Sequence, residues 1–194
     1  MMVLKIDFEK AYDSISWEFL DQVMGFMGFP TLWRRWIKAC LCSSRSSVLI
    51  NGIPTVELRL FRGLRQGDHL SAFLFILAME GTHVAMEDAI SAGLFSPLRV
   101  GTKNLSISHI FYAGDALFVG EWSKSNVDNL VCILHCFYLV SGLKLNLVKS
   151  NLLGVGVPFE EVEGMTSVVG CRASKFPFTY LGLPVGENMT RVMG

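Results

Sequence analysis

Strands and helices that alternate without strict βαβ repetition predict an α+β fold, a largely antiparallel sheet with packed helices. Two turn signals set the antiparallel bias. Asn51-Gly52 separates two β-rich runs, and Ala113-Gly114-Asp115 joins two more; turns this short connect antiparallel neighbours. Composition supplies a third observation. Of the 194 residues, 51% are apolar and 18% charged, where a soluble domain averages about 45–50% and ~25%. The length suits one domain or a large piece of a bigger one. The longest uncharged run, residues 129–143, contains Asn129, His135 and Ser141. A spanning helix needs ~18 or more mostly apolar residues, so this run reads as a buried core helix and no membrane partner is expected.

In chain order, residues 3–8 read as a short buried strand that carries Lys5 and reaches an acid at Asp7. Ser14 and Ser16 offer N-caps for a helix to about Met27, stopped by Gly28-Phe29-Pro30. A second helix follows over 31–42. Residues 47–50 and 55–60 form the hairpin around Asn51-Gly52. Gly63 and Gly67 break the chain before a long helix over about 70–90. Residues 105–112 and 116–119 pair through the 113–115 turn, and 126–140 is helical, ending at Ser141-Gly142. A strand over 152–155, a helix over 159–169 and a last strand over 179–185 complete the list.

The five cysteines show no Cys-x-x-Cys pair, which points to a reducing, intracellular setting. Cys132 and Cys136, with His135 beside them, read as small core residues of a buried helix rather than metal ligands. The chain opens directly on a strand, with charges at Lys5, Asp7, Glu9 and Lys10 where a signal peptide would be apolar. It reads as starting inside something larger. The net charge is zero, which excludes a uniformly basic nucleic-acid coat. By segment, however, residues 1–33 carry −3, residues 34–65 carry +6 and residues 66–194 carry −3. A basic stripe of this kind can hold a phosphate backbone.

Three segments place polar groups where an apolar run ends. Asp7 closes the first strand, and a carboxylate there is costly to ionise unless it is paired or binds a cation. Alone it reads as a turn cap. Arg65-Gln66-Gly67-Asp68 precedes the long helix, where backbone N–H groups can meet a phosphate or a base pair. Gly114-Asp115 sits at a hairpin tip, ordinary turn chemistry by itself.

Together, Asp7-Phe8-Glu9-Lys10-Ala11-Tyr12-Asp13, Arg65-Gln66-Gly67-Asp68, Tyr112-Ala113-Gly114-Asp115, Ser141-Gly142-Leu143-Lys144-Leu145-Asn146 with Lys149, and Tyr180-Leu181-Gly182-Leu183-Pro184 closely resemble the ordered motifs of one family. It is the palm of reverse transcriptases from non-LTR retrotransposons, the LINE-like elements of plant genomes. The resemblance implies a polymerase right-hand palm over residues 1–194, with fingers and thumb missing. Its substrates would be an RNA template, a DNA primer and deoxynucleotides, and its cofactor two Mg²⁺ ions. Asp7 takes the place of the aspartate that binds both metals, and the carbonyl of Phe8 that of a further ligand. Tyr12 matches the aromatic that excludes a ribose 2′-OH. Gln66 and Gly67 match the loop against the template base and incoming nucleotide. Lys149 matches a lysine that neutralises the leaving pyrophosphate, and Leu181 and Gly182 match the primer grip. The expected location is nuclear by family, although no dense Lys/Arg cluster marks it.

The sequence departs from the family at one decisive place. Active members read aromatic-Ala-Asp-Asp, and here the first aspartate is Gly114. Asp115 is then expected to be only a poor auxiliary ligand, because a one-residue shift along a strand reverses the side chain's face. A loss of ~4–6 kcal/mol in metal binding and transition-state stabilisation would slow the reaction by roughly 10³–10⁴. Family prolines are also replaced, by His69 and Ala72. The reading is therefore a reverse transcriptase fragment that is catalytically impaired. The alternative is a non-catalytic nucleic-acid-binding or protein-docking remnant of the palm.

Overall fold

A computed structural model describes residues 1–101, 105–112 and 114–186. The chain forms β1 (Met2–Asp7), α1 (Ala11–Ser14), α2 (Trp17–Phe26), α3 (Thr31–Cys42), four two-residue strands β2 (Arg45–Ser46), β3 (Leu49–Ile50), β4 (Ile53–Pro54) and β5 (Leu58–Arg59), and the long α4 (His69–Ser91). There follow β6 (Leu98–Val100), β7 (Leu105–Ile107), β8 (His109–Tyr112), β9 (Asp115–Gly120), α5 (Lys124–Ser141), β10 (Asn151–Gly154), α6 (Phe159–Val169), β11 (Arg172–Ser174), β12 (Phe178–Tyr180) and β13 (Leu183–Val185). The mixed α+β class with a mostly antiparallel sheet is as the sequence predicts.

The chain divides into two compact units. The first comprises Met1–Asp7, Ala89–Cys132 and Asn146–Gly194 and contains a five-stranded sheet in the order β11-β10-β1-β9-β8. Every pairing is antiparallel except β10 with β11. Strand alternation sorts β1 into two faces. Met2, Leu4 and Ile6 are fully buried, as are Phe118 and Leu152 opposite Leu4. On the other face, Val3, Leu117, Val119 and Leu153 form a cluster against which Leu98, Phe176, Phe178 and Tyr180 pack. That face runs out at its far end into Asp7 and Asp115.

The second unit comprises Phe8–Asp88 and Ile133–Leu145. Ser16 caps α2 by accepting from the Phe19 N–H (3.3 Å). Arg34 of α3 then clasps Asp21 of α2 with two hydrogen bonds, of 2.9 and 2.6 Å. The guanidinium holds the Asp21 carboxyl below its usual range. The edge of Phe19 meets the ring of Phe137 at 5.5 Å.

Several expectations change. Residues 105–112 are not one strand: the run breaks at Ser108, β7 pairing with β6 and β8 with β9. The last strand is a hairpin, β12 and β13 folded around Leu181-Gly182. The 47–60 hairpin is two short ladders, β3–β4 inside β2–β5. Cys132 and Cys136 are exposed, because the buried stripe of α5 is Val127, Leu130, Leu134, Phe137 and Ser141, and the cysteines lie off it. Ala113 of the 113–115 turn lies outside the described residues. Helix α4 has the length and apolar composition of a spanning helix. Its Leu74, Phe75, Ala78, Met79, Met86 and Ala89 are buried in the fold, while Phe73 and Ile76 are exposed.

Candidate active site

In the first unit the register of β1 with β9 decides the geometry. Asp7 and Asp115 are direct cross-strand partners, and such partners share one face of the sheet. The expected reversal of Asp115 does not occur. Residue 114 belongs to the turn, where the two-residue alternation of a strand does not apply, and β9 begins at Asp115. Both aspartates are half-buried. Among the described residues neither carboxylate takes part in a salt bridge or side-chain hydrogen bond. Like charges placed opposite one another in a sheet repel.

The backbone holding Asp7 is fixed at both ends of its peptide group. Its N–H donates to Ser150 Oγ (3.2 Å) and its carbonyl accepts from the Asn146 N–H (2.8 Å). Ser150, fully buried, in turn donates to the Asn146 carbonyl (2.8 Å). Lys149 belongs to the same turn, its N–H on the Asn146 carbonyl at 3.0 Å, and its side chain is exposed. Lysine and aspartate thus come from one hydrogen-bonded junction.

Gly114 has a backbone that any residue can adopt, and a Cβ built on it meets no atom within 4 Å. The fold therefore does not require glycine there. The opposite holds at the β12–β13 tip. Leu181 and Gly182 both have positive φ, 52° and 78°, as a two-residue hairpin of this hand demands. A leucine in that conformation is strained. On the same hairpin, Tyr180 lies beneath the Lys5 ammonium (5.6 Å to the ring centre). Its hydroxyl is buried with no hydrogen-bond partner among the described residues. Burial, and then the charge of Asp115, push its pKa up.

In the second unit Gly63, at φ 85°, fastens the motif loop to the segment after the first strand. Its N–H donates to the Ile15 carbonyl (2.8 Å), the Leu64 N–H to the Tyr12 carbonyl (2.6 Å), and Trp17 Nε1 to the Gly63 carbonyl (2.7 Å). A Cβ at Gly63 would lie 2.6 Å from the Asp13 carbonyl oxygen. The fastening brings Tyr12, Gln66 and Gly67 around one cavity of about 500 Å³, with Asp68, His69 and Ala72. The Tyr12 ring is stacked on Phe75, 4.6 Å between centres. Asp68 accepts from the Leu70 N–H (3.0 Å) at the start of α4, so a side-chain cap stands at the junction where the family has proline. Phe8 is buried and bridged to Leu145. The flanking hydrogen bonds use the Glu9 N–H and the Asp7 carbonyl, not the Phe8 peptide groups.

Type and position thus bring Asp7 to Asp115 in one unit and Tyr12 to Gln66 and Gly67 in the other. Sequence reasoning gave no role to Ser150 or to Tyr180, although Tyr180 opens the last motif. For the first the signal was a serine directly after the motif lysine, and for the second an aromatic directly before Leu181-Gly182.

The profile of the family described as Reverse transcriptase (RNA-dependent DNA polymerase) matches residues 1–185. The chain belongs to the reverse transcriptase family. A retrovirus-related Pol polyprotein from the type-1 retrotransposable element R2 of Popillia japonica is 23% identical over 191 residues, 93% of this chain and 26% of that protein. An uncharacterized mitochondrial protein of Arabidopsis thaliana is 39% identical over 108 residues, 56% of this chain and 88% of that one. The chain spans about a quarter of the length of the retrotransposon polyprotein. In fold it is similar to telomerase from Candida albicans, solved with a fragment of telomeric RNA, at TM-score 0.61 and 15% identity over 95% of this chain and 29% of that one. Apo telomerase from Candida tropicalis gives TM-score 0.59 at 14% identity, over 81% of this chain and 31% of that one. This is a reverse transcriptase domain of retrotransposon type. Reverse transcriptases bind a nucleic-acid template and primer and generally use Mg²⁺.

Proposed function

We propose that the chain is the palm portion of a non-LTR, LINE-like reverse transcriptase of plant type, one carboxylate short of a full catalytic centre. The observation that carries the reading is the Asp7–Asp115 pair, two facing carboxylates with no cationic partner of their own among the described residues. Oxygen donors of this kind suit Mg²⁺. No group of three or more His, Cys, Asp or Glu side chains gathers among the described residues. Asp7 and Asp115, with the Phe8 carbonyl, would hold the metal. When bound, Mg²⁺ supplies charge stabilisation for the attacking and leaving oxygens of an in-line phosphoryl displacement.

The remaining residues act on the substrates directly. Tyr12, stacked against Phe75, lies beside the sugar and disfavours a 2′-OH. Gln66 and Gly67 lie against the nascent base pair, and the exposed Lys149 neutralises the pyrophosphate. Leu181 and Gly182 hold the primer end. The test is Mg²⁺-dependent primer extension on an RNA template, with this segment grafted into a full-length retrotransposon polymerase. Extension should be far faster with Gly114→Asp than with the natural glycine. Equal rates would overturn the claim that Gly114 disables the site, and no extension by either would overturn the polymerase reading.

A further inference from the structure

The β12–β13 hairpin packs on the five-stranded sheet of the first unit without joining it: its two strands pair only with each other. Among the described residues no hydrogen bond or salt bridge runs from the hairpin to that sheet. Apolar packing seats its base. Phe176 and Phe178 meet edge to face, 5.3 Å between ring centres. A Cβ on Gly186 would come within 2.6 Å of the Phe176 ring, so the end of β13 lies directly on that aromatic. Nearer the tip the hold is thinner. Thr179, Leu181, Leu183 and Val185 are exposed, and Tyr180 is the last side chain before Leu181-Gly182 to pack on the sheet cluster.

What meets Tyr180 there is a cation. Lys5 is half-buried on β1, and its ammonium stands 5.6 Å from the centre of the Tyr180 ring. It precedes Asp7 by two residues, so strand alternation puts both side chains on one face of the sheet. The cross-strand neighbours of Lys5 offer no counter-charge, being Leu117 on β9 and Asn151 on β10. The Asn151 amide is itself engaged, accepting from Ser174 Oγ (3.0 Å) and donating to the Lys149 carbonyl (3.1 Å). Among the described residues the Lys5 side chain has no hydrogen bond and no salt bridge. A half-buried ammonium without an anion is costly, and the negative face of an aromatic ring offsets part of that cost. The Asp115 charge acts on the hydroxyl of the same tyrosine. Lysine, ring and carboxylate pair are thus neighbours on one face.

We propose that Lys5 is a positioning residue: its hold on the Tyr180 ring fixes the Leu181-Gly182 tip relative to Asp7 and Asp115. The inference rests on the role proposed above for that tip. Its first test needs neither metal nor nucleic acid, so that the two readings fail separately. Amide hydrogen exchange of the chain in EDTA follows opening of the hairpin. Lys5→Met keeps an unbranched apolar stem and removes the charge. It should speed exchange of the β12–β13 amides about fivefold and leave those of β1, β9 and β10 unchanged. Lys5→Arg should restore slow exchange, because a guanidinium also stacks on an aromatic face. Tyr180→Phe keeps the ring and should leave exchange slow. In a Tyr180→Leu chain, Lys5→Met should have no further effect. In the grafted polymerase carrying Gly114→Asp, Lys5→Met should raise the KM for primer about fivefold with the KM for deoxynucleotide unchanged, and Lys5→Arg should reverse the rise.

Unchanged hairpin exchange in Lys5→Met would overturn the proposal. So would failure of Lys5→Arg to restore slow exchange, an equal Lys5→Met effect with and without the Tyr180 ring, or an equal rise in both KM values. Tighter Mg²⁺ binding by Lys5→Met with hairpin exchange still slow would also overturn it, making the lysine a counter-charge to the carboxylates rather than a hold on the hairpin. Each of these outcomes leaves the Asp7–Asp115 reading standing. A grafted polymerase that extends no primer in any variant would instead overturn the polymerase reading, with the exchange pattern intact.

Discussion

Two hairpin tips in the first unit depart from their sequence logic in opposite directions. At the β8–β9 tip the chain has glycine where neither φ nor space asks for it: a side chain at residue 114 would meet no atom within 4 Å. At the β12–β13 tip the chain has leucine at φ 52°, where asparagine or glycine would be cheaper. The hairpin at Asn51-Gly52, with φ of 51° and 81°, shows the inexpensive solution in the same molecule. The first tip has a glycine where the fold would accept a side chain. The second keeps a strained residue that the fold alone would not select. Strain of this sort clusters where a backbone grips a ligand, and Leu181 is the residue we propose holds the primer end.

The comparison can be broken at either tip. The largest effect is expected from Gly114→Asp in the grafted polymerase, with primer extension faster by roughly 10³–10⁴. Next come the glycines themselves. Gly182→Val should destabilise the chain by about 1–2 kcal/mol, because a β-branched residue at φ 78° is forced into the left-handed region. Gly114→Ala should stay within ~0.5 kcal/mol of the natural chain. Chemical denaturation of both variants reads the contrast directly, and equal costs would remove it. Leu181→Asn, which copies the Asn51-Gly52 tip, should stabilise by about 0.5–1 kcal/mol and weaken primer binding in the grafted polymerase. A stability gain with primer affinity unchanged would separate the strain from the grip.

The smallest effect concerns Tyr180. Its pKa is raised in the folded chain, so the folded state keeps the phenol proton longer than the unfolded chain does. The stability linked to it is full below the unfolded value near 10 and is lost as pH rises toward the folded value. Tyr180→Phe should flatten that alkaline decline and leave stability at neutral pH unchanged or slightly higher, since the hydroxyl has no partner among the described residues to lose. Thermal melts across the alkaline range would show it.

Elements with a strong local signal were legible in the sequence. The α3 helix follows Pro30 and runs to Cys42, and α6 follows Pro158 and closes on Gly170 in the left-handed region. The misreadings have physical causes. Residues 105–112 alternate like one strand, but Ser108 turns its carbonyl to the Val119 N–H (2.7 Å) and divides the run between two sheets. Arg172–Ser174 has little strand propensity and becomes an edge strand by parallel pairing with β10. Leucine is not a turn residue, so the local pattern over 179–185 reads as one strand, and it is the motif resemblance that marks a hairpin at Leu181-Gly182. At the site, residue types were legible and their register was not. Asp7 and Asp115 are matched by a ladder between strands more than a hundred residues apart, and no local pattern encodes which side chains such a ladder sets face to face. Ser150 and the orphan hydroxyl of Tyr180 act through burial, which spacing does not reveal.

The central claim is that Asp7 and Asp115 form a cation site weakened by the glycine at 114. Calorimetric titration of Mg²⁺ into the natural chain, Gly114→Asp and Asp7→Asn tests it most directly. The expected order is tightest binding by Gly114→Asp, weaker binding by the natural chain and none by Asp7→Asn. Equal affinity in all three would contradict it.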